Sequence, residues 1–348
     1  MNVRCQDVRL AGYTTLRLGG PARTFIEATT EDELVEQVRA ADEAGEPLLV
    51  LGGGSNLVVA DEGFPGTVVR VATRGVTIEG GRVEAQAGEE WDSLVARAVA
   101  EGLSGVECLS GIPGRVGATP IQNVGAYGQD VSETITEVRV YDRREQRVRA
   151  FTPAECAFTY RHSAFKGNDR YVVLSVAFQL AETGESRPVR YAELARRLGV
   201  EAGGTAGLAE VRDAVLALRR GKGMVLDPDD PDTRSAGSFF TNPVLTGQEL
   251  RLLAERAEGF PAFPEPDGRT KTSAAWLIDR AGFTKGYARG PVRLSTKHTL
   301  ALTNPDAEGT ARDLLALARE IRAGVREAFG VTLVNEPVLV GLTLDEEG

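Results

Sequence analysis

Histidine and cysteine are scarce in this chain, and their scarcity narrows the chemistry open to it. Only two histidines occur in 348 residues, His162 and His298, which argues against Ser-His-Asp hydrolysis and against histidine-rich metal sites. The three cysteines, Cys5, Cys108 and Cys156, are far apart and lack Cys-x-x-Cys spacing, so neither a disulfide framework nor a zinc site is expected. They read as small buried hydrophobes. No stretch approaches the roughly 18 uninterrupted apolar residues of a membrane helix, and the N-terminus from Met1 to Cys5 has no apolar signal core. A cytoplasmic protein with no membrane partner is therefore expected. The net charge is −10 with acids and bases interleaved, which argues against a nucleic-acid surface over much of the molecule but leaves room for a local basic pocket. The acidic run Asp227–Asp232 has a calcium-loop look, but its prolines and the lack of the required Gly and terminal Glu remove that reading, and no metal is expected.

With 42% hydrophobic residues the chain can bury a full core and has the length for two or three domains. A capping box at Thr30 and Glu33 opens a helix carrying Leu34, Val38 and Ala41 on one face, which Gly45 stops. The extended run 47–51 leads into Gly52-Gly53-Gly54-Ser55-Asn56, after which Leu57–Val59 reads as strand again. Alternation over 67–88 around Gly80-Gly81 predicts a hairpin, and a helix through Trp91, Leu94, Val95, Ala98 and Val99 runs to Gly102. Strands are predicted near 135–151 and 171–180, and helices near 191–198 and 208–220. The proline- and aspartate-rich 227–232 segment reads as a domain junction. Further on come a capping box from Thr246 to Glu249, a helix near 274–281, and a long amphipathic helix with Leu314, Leu315, Ala318, Ile321, Val325 and Phe329, closed by Gly330. Val331–Leu333 and Val338–Val340 read as a β-rich end, split by Asn335-Glu336-Pro337.

Two glycine-rich segments stand out. Three glycines after a buried strand let the backbone come close to a ligand and offer N–H groups to anionic oxygens, a pyrophosphate above all. Taken alone, Gly52–Asn56 fits neither Gly-x-Gly-x-x-Gly nor the P-loop, and a plain tight turn is the commoner origin of such a run. From Gly102 to Gly128 glycine recurs without helical or strand period in a setting too apolar for a linker, which predicts an ordered, ligand-wrapping loop. Within it Ser110-Gly111-Ile112-Pro113-Gly114 and Gln122-Asn123-Val124-Gly125-Ala126-Tyr127-Gly128 combine backbone freedom with amide and hydroxyl groups, a mixture suited to the hydrogen-bonding edge of an isoalloxazine ring.

These loops, with Thr15-Leu16-Arg17-Leu18-Gly19-Gly20-Pro21-Ala22, resemble the UDP-N-acetylenolpyruvoylglucosamine reductase family. The resemblance extends over nearly the whole chain through Tyr160-Arg161-His162-Ser163-x-Phe165-Lys166, Ala236–Pro243, Ala275–Asp279, Ser295–His298 and Asn335-Glu336-Pro337, all in the family's order. Two positions depart from its pattern, Thr241 where lysine is frequent and His162 where aspartate is common.

The resemblance implies an α+β chain: an FAD-binding domain similar to the vanillyl-alcohol oxidase and p-cresol methylhydroxylase type, plus a smaller α/β substrate domain. The FAD region is expected over 1–220, as lobes 1–70 and 71–220 completed by 331–348, with the substrate domain over 221–330. Noncovalent FAD, NADPH as reductant and the enolpyruvyl UDP-sugar as substrate are implied, with a hydride passing from flavin to the enolpyruvyl C3. A histidyl flavin tether would need a histidine near the glycine loops, and none precedes His162.

For the cofactor, the resemblance points to Gly52, Gly53, Gly54, Ser55, Asn56, Ser110, Gly111, Ile112, Pro113, Gly117, Gln122, Asn123, Gly125, Ala126 and Tyr127. Arg161 is expected to hold the substrate carboxylate bidentately, Ser238 to protonate C2, and Glu336 to assist from a partly desolvated position between Val334 and Val338. Tyr191 marks the subtype with a substrate-covering tyrosine loop, and Lys222, Asn242 and Lys297 are expected at diphosphate, carboxylate or cofactor contacts. A monomer is expected.

Overall fold

The computed structural model describes residues 4–345; Met1–Val3 of the N-terminal stretch and residues 346–348 of the expected completing segment lie outside the described residues. The chain divides into two compact units, the first made of the chain up to Val8, Ala22–Gly53 and Pro65–Gly221, the second of Arg9–Pro21, Gly54–Phe64 and the chain from Lys222 onward.

In the first unit the Thr30 hydroxyl accepts the Glu33 N–H and opens the helix Glu31–Glu43. It buries Leu34, Val38 and Ala41, the expected face, because residues three and four apart fall on one side of a helix. A four-stranded sheet has the order Arg4–Arg9, Pro21–Ala28, Phe64–Val71, Leu48–Leu51, and in it Leu48–Leu51 runs parallel to Phe64–Val71 with Leu51 abreast of Arg70. A second, antiparallel sheet has the order Arg147–Phe151, Ile135–Asp142, Tyr171–Gln179, Arg82–Gln86, Val76–Glu79.

The hairpin around Gly80-Gly81 forms, but only over 76–86. Residues 67–71, read as part of it, lie in the first sheet instead, where Val68, Val69 and Val71 are buried. The expected division of this unit at residue 70 does not appear. One core takes Val69 and Val71 together with Val83, Ala85, Trp91, Val138, Val140 and Val176, and a core shared that closely leaves no seam. The helices Ala192–Leu198 and Leu208–Gly221 close a smaller cluster over Cys108. Cys108 and Cys156 are buried, as expected of small hydrophobes.

The second unit is built around the helix Ala311–Phe329, whose buried stripe is Leu314, Leu315, Ala318, Ile321, Val325 and Phe329 and whose C-cap Gly330 is left-handed at φ +72°. The Asp61 carboxylate accepts the N–H groups of Ala311 (2.8 Å) and Arg312 (3.1 Å) at its start, where the helix dipole favours a negative group. Three further findings differ from expectation here. Residues 331–345 fold with this unit: Val338–Val340 pairs in parallel with Leu57–Val59, and Val331, Leu333 and Leu344 enter the core that the long helix covers. Val331–Leu333 alternates buried and exposed but is no strand, because pairing begins only where Thr241 N–H meets the Val334 carbonyl at 3.0 Å. The 227–232 segment is an ordered knot just past the unit boundary, with Asp227 and Asp230 accepting the N–H groups of Asp229 and Asp232.

Candidate functional site

The first unit carries most of the expected cofactor residues. Gly52 and Gly53 follow the buried strand end Leu51, and their amide N–H groups donate to no acceptor among the described residues. That is the arrangement an anionic oxygen needs. Their missing side chains serve different purposes. A Cβ on Gly53 would stand 2.7 Å from the Gly114 Cα, so here glycine allows two backbone segments to touch, whereas a Cβ on Gly52 would find its nearest neighbour, the Arg115 Cγ, at an ordinary 3.7 Å.

The loop from 102 to 128 holds only two-residue strands and single 3-10 turns, and buried polar groups order the rest of it. Between Gly102 and Gly128 the sequence holds only two charged residues, Glu107 and Arg115, and both are buried. The Glu107 carboxylate accepts the N–H groups of Gly105 (2.6 Å) and Arg187 (2.9 Å) and the Gln129 amide (2.8 Å), while its carbonyl accepts the Ser110 hydroxyl (2.6 Å). Ser110, fully buried, is thus committed to the loop's own fold. Gly111 N–H donates to Asp92 at 2.5 Å, and Arg212 forks onto the same carboxylate at 2.7 and 2.8 Å. Burial pushes the Asp92 carboxyl up, but the Arg212 bonds and the Gly111 amide prevail and hold it below its ordinary value. Ile112 and Pro113 are half-buried beyond this point. Gly117 lies against Ala87, where a Cβ would stand 2.5 Å from that of Ala87, and its N–H donates to the Ala87 carbonyl.

Arg115 is 7% exposed. It donates to the Gly88 carbonyl at 3.1 Å and pairs with Glu90 at 2.5 Å, and its Nε, buried, has no hydrogen-bond partner. Burial lowers its pKa against the pull of Glu90, and Arg74 and Arg70 act in the same direction as burial.

Asn123, left-handed at φ +46°, has its side-chain amide consumed within the loop: it donates to the Thr159 carbonyl at 3.1 Å and accepts Ser132 N–H at 3.1 Å. Gln122 is half-buried beside it. Gly125 and Ala126 form one arm of a short hairpin with Gln129 and Asp130. Tyr127, left-handed at φ +50°, meets the exposed Tyr191 edge to face at 5.2 Å, so these expected cofactor and substrate residues are neighbours.

Arg161 is itself left-handed at φ +52°. Its guanidinium donates to the carbonyls of Gly125 (2.5 Å) and Asn123 (3.3 Å) and lies 3.5 Å from Asp130. A Cβ at Gly125 would fall 1.7 Å from the Asp130 carboxylate and 2.9 Å from the guanidinium, so glycine there is what lets the pair form.

In the second unit, Gly54 (φ +62°) has no room for a Cβ, which would stand 1.9 Å from the Tyr13 carbonyl oxygen, and its own carbonyl accepts Thr15 N–H. Ser55 and Asn56 are half-buried. Asn56 links to the C-terminal segment, its amide reaching the Glu336 carbonyl at 3.5 Å and its carbonyl accepting Val338 N–H at 2.9 Å. Ser238 and Glu336 come together through the backbone: Glu336 N–H donates to the Phe239 carbonyl at 2.8 Å, and Phe240 and Asn335 face each other in a bridge. Ser238 is half-buried, follows left-handed Gly237, and its hydroxyl makes no hydrogen bond among the described residues. Phe239 and Phe240 are both core residues.

Glu336 is half-buried as expected, but not for the expected reason. Val334 and Val338 are exposed at 63% and 43%, so the apolar flank turns away from it. Asn242 accepts the Ala274 N–H at 3.0 Å at the start of the helix Ala274–Arg280. Lys297 is paired with Asp230 at 2.6 Å, while Thr296 takes the neighbouring Asp232. Lys222 is half-buried at the first position after the boundary. Of the departures, His162 is exposed and the Thr241 hydroxyl donates to the Val334 carbonyl at 3.4 Å.

The profile of an FAD binding domain matches residues 22–150, and that of the UDP-N-acetylenolpyruvoylglucosamine reductase C-terminal domain matches residues 229–340. A reductase of that name from Thermobifida fusca is 63% identical over 97% of this chain and 98% of its own length. The chain belongs to the UDP-N-acetylenolpyruvoylglucosamine reductase family. A member from Streptomyces coelicolor is 61% identical over 97% of the chain and 90% of its own length. The crystal structure of the Thermus caldophilus member superposes with a TM-score of 0.68 at 28% identity, covering 98% of this chain and 99% of that one.

Membership accounts for the FAD-type fold of the first unit and for the separate C-terminal domain. It does not by itself say which side chains matter. Asp92, Arg212, Glu107, Asp130 and Arg115 were not singled out from the sequence, although two of them had left a signal as lone charges in an apolar, glycine-rich stretch.

Proposed function

We propose that this chain reduces UDP-N-acetylglucosamine enolpyruvate to UDP-N-acetylmuramate with NADPH, an oxidoreductase step in peptidoglycan precursor synthesis. The reading rests on family membership along the full chain and on one structural observation: the bond from Glu336 N–H to the Phe239 carbonyl, which holds Glu336 and Ser238 on adjoining segments. Bound FAD, noncovalent, supplies the relay of a hydride from NADPH to the enolpyruvyl C3.

The chain's own residues supply position and charge. Gly52 and Gly53 offer unclaimed amides to the cofactor diphosphate. The Gln122–Tyr127 segment, clamped by Asn123 and Arg161, keeps the shape of the loop that would hold the flavin. Arg161 takes the substrate carboxylate on its planar fork and stabilises the charge that grows there. Ser238 delivers the proton to C2, from a hydroxyl that no acceptor among the described residues holds. Glu336 polarises the substrate carboxylate. Tyr191, beside Tyr127, covers the substrate, and Lys222 and Asn242 contact it. Lys297 acts from its ion pair with Asp230. No helix among the described residues is long and apolar enough to cross a membrane, and we place the reaction in the cytoplasm, carried out by a monomer.

Ser238→Ala tests this reading. Reduction of the flavin by NADPH should proceed at close to the normal rate, whereas reoxidation by the enolpyruvyl UDP-sugar should slow on the order of 10²- to 10⁴-fold, the usual loss for a positioned general acid. Ser238→Cys should recover part of it. Equal slowing of both half-reactions would make the serine structural, and a protein that takes up no FAD would end the reading altogether.

A further inference from the structure

A buried arginine whose stem passes the Gly52–Gly53 turn has no role in the reading above. Arg115 follows Gly114, whose Cα lies against Gly53, and its stem passes Gly52, where the nearest side-chain atom to a Cβ would be the Arg115 Cγ at 3.7 Å. It is one of only two charges in the 102–128 loop. Its charge is incompletely matched. Its ion-pair partner, Glu90, is about half exposed and so screened by water, and among the described residues one guanidinium N–H is buried with no acceptor. A buried N–H without a partner is costly unless something else gains from it.

We propose that Arg115 is a binding residue for the diphosphate of the dinucleotide cofactor, supplying from beneath the Gly52–Gly53 loop the positive charge that the backbone amides alone do not carry. The inference rests on the flavin reading and adds to it a source of affinity. Glycine at 52 matters to it, since no Cβ stands between the loop and the arginine stem. In an acidic protein that must hold a doubly charged anion, a buried arginine attracts at short range without adding to the outer surface.

The test uses the full chain stripped of flavin, with FAD, ADP and riboflavin titrated at several salt concentrations. Arg115→Met should weaken FAD and ADP by the same factor, about ten-fold or more at low salt, leave riboflavin unchanged, and flatten the salt dependence, because only the diphosphate senses the charge. Arg115→Lys should recover most of the affinity.

Glu90→Gln, at a half-exposed position, gives the opposite sign: FAD and ADP should bind tighter, by roughly two- to five-fold at low salt. Unchanged or weaker binding in Glu90→Gln overturns the proposal even if Arg115→Met does not fold. Riboflavin weakened as much as FAD in Arg115→Met overturns it too, since that marks a loop distorted as a whole. Wild-type protein that binds neither FAD nor ADP would overturn the flavin reading along with it.

Discussion

Alanine at Gly53 and at Gly52, adjacent positions, should have opposite consequences. Neither glycine has a positive φ, so the backbone accepts alanine at both and only space decides. At Gly53 the new methyl would stand 2.7 Å from the Gly114 Cα and 3.3 Å from its carbonyl carbon, against roughly 3.5–4.0 Å for an unstrained carbon pair. The neighbour is backbone, so it cannot rotate away, and the two loops must part by about 1 Å. Overpacking of that kind costs about 1–3 kcal/mol. For a unit of this size each kcal/mol moves the melting temperature by about 2–4 °C, so Gly53→Ala should melt roughly 2–12 °C lower. At Gly52 the nearest atom, the Arg115 Cγ, is 3.7 Å away, and Gly52→Ala should melt within about 1–2 °C of wild type while weakening FAD, because the methyl would add bulk between the loop and the Arg115 stem. Thermal unfolding of the flavin-free proteins, followed by FAD titration, measures both effects. Equal melting temperatures for the two variants would refute the packing argument.

Arg161→Lys keeps the charge but cannot span the Asn123 and Gly125 carbonyls while facing Asp130; steady-state turnover should fall at least about ten-fold with little change in melting, and unchanged kinetics would remove Arg161 from the reaction. Gly125→Ala, whose methyl would displace the Asp130 carboxylate, should reduce turnover by a comparable factor, and normal turnover would show that Asp130 does not position Arg161. Asp142, fully buried and forked by Arg170 at 2.8 and 2.6 Å, has its carboxyl held down at about 2, first by Arg170 and then, against its burial, by the amides of Glu145 and Arg144. A depressed pKa gives stability that is complete above the unfolded carboxyl range and is lost as pH falls from about 4 to about 2. Asp142→Asn should therefore cost about 1.5–3 kcal/mol at neutral pH and flatten the pH dependence of melting within that window; a variant that keeps the wild-type slope there would place the acid-sensitive group elsewhere.

Local interactions wrote themselves directly into the sequence. The cap at Thr30, whose Glu33 carboxylate turns to Thr29 in place of closing the box, the capping box at Thr246 and the glycine stop at 330 act within a few residues, and the stripe on Ala311–Phe329 follows from helical period alone, so each helix formed where its pattern lay. The glycine loops were recognisable too, as was the family, because motif order survives in one dimension. What each glycine is for was not. Gly53, Gly117 and Gly125 carry no side chain because Gly114, Ala87 and Asp130 press against them, and those partners are 61, 30 and 5 positions away along the chain. The same holds for the segment boundaries. Residues 331–345 joined the second unit because Val338–Val340 found an open edge at Leu57–Val59, a pairing across roughly 280 residues that no local preference encodes. Side-chain roles also waited for the fold: Asn123 and Ser110 spend their polar atoms inside the loop, Lys297 meets Asp230, and Arg115 is buried with an N–H left over. Charge and hydrogen-bonding capacity can be read from a residue's name, but which partner satisfies them depends on distance in space, and only the tertiary structure sets that.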